Sequence, residues 1–71
     1  MPQGVVKALV HDRGFGFISS PNMPDTFFHY TALQGQELVF DESLRNRRVE
    51  FELTTDQRSG KPRALWVRPA P

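Results

Sequence analysis

The chain has 71 residues, no cysteine and a formal net charge of +1, from nine Lys and Arg against eight Asp and Glu. That length holds one domain, residues 1–71, with a modest core. The missing thiols exclude disulfides and thiolate metal sites, and near-neutrality argues against a protein that holds duplex DNA chiefly through its phosphates. Neither a charged leader with an apolar run nor any long apolar stretch is found, which predicts a cytoplasmic protein without a membrane partner.

Gly4 to Val10 reads as a first strand, with Val5, Val6, Leu9 and Val10 as strand formers. Its apolar residues fall at both parities, as in a strand buried on both faces or one that bends, and Lys7 marks an outward position. His11-Asp12-Arg13-Gly14 is a polar turn, so a hairpin leads into a second strand, Phe15 to Ser19. Two prolines, Pro21 and Pro24, keep the next segment a loop. Thr26 to Tyr30 is a third strand and completes a meander. Thr31 to Gly35 has the makings of one helical turn stopped by Gly35. Gln36 to Arg48 reads as a long connection with Leu44 tucked under the barrel, with room for a short amphipathic helix over 41–47. Val49 to Leu53 alternates cleanly and predicts Val49, Phe51 and Leu53 inward. A polar loop over 54–62 leads to a fifth strand, Arg63 to Arg68, with Leu65 and Val67 inward and 69–71 as a tail. Five short strands and a long connection after the third predict an all-β, five-stranded antiparallel Greek-key barrel over residues 3–68, closed so that no sheet edge is left open.

Two stretches carry the chemistry. In Arg13-Gly14-Phe15-Gly16-Phe17-Ile18 a strand's alternation puts Phe15 and Phe17 on one face and Ile18 on the other, with the glycines leaving the backbone between the rings bare. In Asp25-Thr26-Phe27-Phe28-His29-Tyr30, Phe27 and His29 share a face and Phe28 opposes them. If the two strands pair, Phe15, Phe17, Phe27 and His29 form one aromatic patch, a stacking platform for unpaired bases. A sheet buried on both faces would instead make these rings core. Two such stretches, one with a histidine among the rings, favour the platform.

The same residues resemble the cold-shock domain family, the oligonucleotide-binding-fold module of bacterial cold-shock proteins and eukaryotic Y-box proteins. Gly4-Val5-Val6-Lys7 matches its opening, Arg13 to Ile18 its first ribonucleoprotein motif and Thr26 to Tyr30 its second; Ala32 to Gly35, Val49 to Glu52, Gly60-Lys61, Ala64 and Val67 follow in order. The resemblance implies a five-stranded barrel that binds single-stranded RNA or DNA, with Lys7, Phe15, Phe17, Phe27, His29 and Tyr30 on the binding face; a monomer is expected. It further implies that Asp25 accepts from a base edge and that Arg13, in place of the usual Lys, meets a phosphate or a base. Lys61 is a further flanking cation. Phe40 lies near a loop aromatic of the family and either caps a base or plugs the barrel end. The family's Trp-Phe-Asn after Lys7 is here Ala8-Leu9-Val10, which removes one stacking ring. Trp66, where a small or polar residue is usual, is expected to cover core at the barrel edge, with a stacking role that compensates for Ala8 as the alternative. Arg45, Arg47, Arg48, Arg58 and Arg63 read as solvated, with phosphate binding as their alternative role.

The sequence offers no catalytic constellation, and two histidines without a third spaced ligand make no zinc site. The expectation is a non-enzyme without cofactor or metal, acting as an RNA chaperone or a regulator of translation or transcription. The competing expectation, motivated by Ala8 and the near-neutral charge, is a protein-interaction barrel with weakened nucleic-acid binding.

Overall fold

A computed structural model describes residues 2–34 and 38–71. Five strands, β1 (Gln3–Val10), β2 (Phe15–Ser19), β3 (Thr26–His29), β4 (Arg48–Thr55) and β5 (Pro62–Pro69), close a barrel in the order β1-β2-β3-β5-β4. The ladders are antiparallel except at the closure, where β3 meets β5 in parallel through Phe27 and Arg63. The chain beyond β3 extends that closure. Leu33 bridges Val67 in parallel, and the Gln34 N–H donates to the Val67 carbonyl at 2.7 Å.

The core is built from Val6, Ile18, Phe28, Val49, Phe51 and Val67, all fully buried. Two bulges decide which residues reach it. In β1, Val6 pairs with Ile18 and Ala8 with Phe17, so Lys7 is the extra residue. The inward positions are then Val6 and Leu9, three apart, and Lys7 and Ala8 both lie outside. This bend explains why β1 shows apolar residues at both parities. In β5, Val67 pairs with Phe51 and Ala64 with Leu53, so Leu65 and Trp66 together oppose Glu52.

The second bulge corrects the expected alternation. Leu65 is 51% exposed and Ala64 takes the inward place; Leu53, beyond the bulge, is 44% exposed. β5 also runs one residue further than expected, with Pro69 paired to Val49 and Ala70 donating to the Arg48 carbonyl, so the tail begins after these residues.

The two suspected helical segments are single 3-10 turns. Tyr30–Ala32 starts one residue before the expected turn and gives way to extended backbone at Leu33; the expected stop, Gly35, lies outside the described residues. Glu42–Leu44 buries Leu44 beneath the barrel, as expected. Asn46 and Arg47 then run alongside β1: Asn46 donates to the Val6 carbonyl and the Val6 N–H to the Arg47 carbonyl. The long connection therefore closes one end of the barrel. No helix among the described residues is long and apolar enough to cross a membrane.

Candidate nucleic-acid interface

The antiparallel register of β2 and β3 pairs Phe15 with His29 and Phe17 with Phe27. Cross-strand partners point to one side, so the expected aromatic patch forms. None of its rings belongs to the core; each is half-buried. Phe15 and Phe27 lie 5.1 Å apart at 39°, and Phe17 stands edge-on to both at 5.9 and 6.1 Å. His29 and Tyr30 add a tilted pair at 4.6 Å, with Tyr30 52% exposed.

The glycines act differently from the expectation. A Cβ on Gly16 would sit 2.6 Å from the Ala8 carbonyl oxygen and 2.8 Å from the Phe28 ring. Gly16 is therefore bare on the core side, where Phe28 needs the space. Gly14 turns the hairpin at φ +73°, and a Cβ there would strike the Tyr30 ring at 2.7 Å. Small residues beneath the motif seat its aromatic neighbours.

The polar candidates divide. The Lys7 ammonium donates to Asp25 Oδ2 at 2.9 Å, so the two form an ion pair beside the rings rather than two separate contacts. Arg13 is exposed in the turn before Phe15. His29 also caps the 3-10 turn, since its Nδ1 accepts from the Thr31 N–H at 3.3 Å and lies 2.9 Å from the Thr31 hydroxyl. Phe40 packs edge-on against buried Phe28, the plugging role, while also contacting Tyr30 and His11. His11 lies 4.0 Å from Glu42. Among the described residues, no three His, Cys, Asp or Glu side chains cluster to hold a metal.

A cleft of about 290 Å³ lies along Phe15, Phe17 and Phe27, and its other wall is Asp56, Ser59, Lys61 and Pro62. Sequence reading places Lys61 near the rings but misses this wall. The loop is folded back by a bond from the Asp56 N–H to the Lys61 carbonyl and by Arg58 N–H donating to Asp56 Oδ1. Arg63, read from the sequence as solvated with phosphate binding as its alternative, is instead set beside Phe27 by the parallel closure, with a buried Nε that has no partner among the described residues. Both placements depend on β3 meeting β5, a contact between distant segments that no local pattern announces.

Residues 2–70 match the family described as 'Cold-shock' DNA-binding domain. The chain belongs to the cold-shock domain family. This cold-shock domain is 41% identical over 69 residues to "Probable cold shock protein A" of Mycolicibacterium smegmatis, covering 96% of this chain and 97% of that protein. It is 41% identical over 56 residues to "Cold shock-like protein CspG" of Escherichia coli, covering 78% and 77%. A solved structure, drosophila Unr CSD456, superposes with a TM-score of 0.73 at 25% identity, covering 99% of this chain and 26% of that one. The cold-shock domain is thus a nucleic-acid-binding module, of a family that binds rather than catalyses, on an oligonucleotide-binding barrel.

Proposed function

We propose that this cold-shock domain, as a monomer, binds single-stranded RNA or DNA by stacking bases on Phe15, Phe17, Phe27 and His29, with Arg13 and Lys61 meeting phosphates. It acts as an RNA chaperone or a regulator of translation or transcription. The observation that carries this reading is the cluster of half-buried rings on one face, which have no core to fill and lie along an open cleft. Each stacked base is worth roughly 1–3 kcal/mol, comparable to a base-pair step. A few stacks therefore shift a weak hairpin toward its open form. Tyr30 and Phe40 extend the ring surface at one end. Competition between a pyrimidine-rich single strand and its duplex tests the reading. Preference for the single strand is expected, and equal affinity for both would overturn it.

A second reading, a protein-interaction barrel with weakened nucleic-acid binding, is favoured by Ala8 beside Phe17 and by the capture of Lys7 by Asp25. The same titration decides between the two, since this reading expects little or no binding of either strand.

A further inference from the structure

The face that carries the rings continues past Phe17. Two residues along β2, on the same side of the strand, Ser19 is exposed. Ser19 pairs with Val5, and Val5 pairs on its other side with Arg48. Gln3, Gly4, Val5, Ser19, Pro21 and Arg48 line a cleft of about 370 Å³ there. Among the described residues that line it, Arg48 alone is charged. Its guanidinium has no hydrogen bond or ion pair among the described residues. The carboxylates on the neighbouring positions are engaged elsewhere, Asp25 by Lys7 and Glu50 by Arg68.

We propose that this cleft is a terminal subsite for the strand of nucleic acid held by the rings, taking one further nucleotide with its phosphate on Arg48. The inference rests on the stacking reading above. Three observations support it. Ser19 of the cleft lies two residues along β2 from Phe17, on the same side of the strand. At this volume it falls within the range of small-ligand pockets, roughly 300–1,000 Å³, which suits a nucleotide rather than a bare anion. Its apolar walls, Val5 and Pro21, give a sugar or base an apolar bed and lower the local dielectric around the Arg48–phosphate contact. Ser19 and Gln3 supply neutral hydrogen-bonding groups at the rim.

The test is a length series of oligothymidylates, about 4 and about 8 nucleotides long, within known site sizes for such barrels. They are titrated against the wild type, Arg48→Ala, Arg48→Lys and Ser19→Ile, each first checked by thermal melting. Arg48→Ala should bind the longer strand about fivefold more weakly, leave the shorter strand unchanged and reduce the long strand's log–log salt slope by about 0.7. Arg48→Lys should keep the wild-type slope. Ser19→Ile, which fills the cleft from an exposed strand position without removing charge, should give the same length-selective loss and the same fall in slope, because the excluded nucleotide takes its phosphate off Arg48. Wild-type affinity of Arg48→Ala and Ser19→Ile for both lengths overturns the subsite alone, as does an equal loss at both lengths. Failure of the wild type to bind either strand overturns the stacking reading itself.

Discussion

Two outer faces of the barrel carry aromatic residues beside cations, and they have opposite character. On β4 and β5, the Arg68 guanidinium lies 4.4 Å over the Trp66 ring and donates to Glu50 at 2.7 and 2.8 Å. Ring, cation and carboxylate satisfy one another, so the face is closed to a ligand. On β2 and β3, Phe15, Phe17 and Phe27 meet only each other's edges and tilted faces, and no cation covers them among the described residues. Aromatic content and nearby charge do not by themselves make a binding surface. What distinguishes the two faces is whether the internal partners are already in place.

The sharpest way to break this comparison is to truncate one ring from each side of the sheet. Phe51→Ala empties a fully buried position and should cost about 3–5 kcal/mol of stability, enough to unfold much of a domain this small. Phe15→Ala and Phe27→Ala should each leave the melting temperature nearly unchanged while weakening single-strand binding by roughly 1–3 kcal/mol, one lost stack. Thermal melts and oligonucleotide titrations of the three variants decide the matter. Melting of the two surface variants alongside Phe51→Ala would place the rings in the core and abolish the patch. Unchanged affinity in two well-folded surface variants would favour the interaction barrel.

The ring face is legible in the sequence because β2 and β3 are regular. Period-two alternation holds throughout both, so Phe15, Phe17, Phe27 and His29 go outward and Ile18 and Phe28 inward without any knowledge of the rest. Where a bulge inserts a residue, parity reasoning fails for the residues beyond it. Counting back from Val67 puts Leu65 inward, but the bulge opposite Glu52 moves it to the surface and brings Ala64 in. In β1 the mixed pattern does hint at a bend, with Lys7 as its outward residue, yet gives no sign that Lys7 reaches Asp25. That ion pair, the loop wall at Lys61 and the position of Arg63 all arise from contacts across the barrel. Charged residues in turns have many such options, and local sequence does not choose among them.

A smaller effect sharpens the comparison from its other side. Trp66→Ala removes the ring beneath Arg68 but leaves the guanidinium on Glu50. The expected loss of stability is about 1 kcal/mol, the scale of an exposed cation–π contact with some packing. Oligonucleotide affinity should not change, because Trp66 lies three residues along β5 from Arg63, the neighbour of Phe27. For the same reason, intrinsic tryptophan fluorescence should respond little when a strand binds. A large quench, or a loss of affinity in Trp66→Ala, would make the β4–β5 face part of the interface and erase the distinction between the two faces.

The smallest expected effect concerns the turn that closes the barrel end beneath Phe40. The Ser43 hydroxyl and N–H both donate to Asp41 Oδ1, and these bonds hold the Asp41 carboxyl below its ordinary value of 3.8. The Arg45 guanidinium beside Glu42 likewise holds Glu42 below 4.5, and His11 adds a weaker pull on both. A carboxyl whose folded value is depressed contributes stability that is complete above its unfolded value and is lost as the pH falls through the folded one. These two groups should therefore give no slope in stability between about pH 6 and 8, and a decline only below about pH 4. Asp41→Asn keeps a cap acceptor but cannot titrate. Its melting temperature should lie slightly below the wild type at neutral pH, and the two curves should converge as the solution is acidified. Both groups are exposed, so the offset should be small and should shrink with added salt. Melting temperatures of the wild type, Asp41→Asn and Glu42→Gln from about pH 2 to about pH 8, a range that spans both carboxyl transitions, check the assignment. Parallel curves that never converge would show that the turn is held by its buried Leu44 alone, and that its carboxylates contribute nothing to closing the barrel.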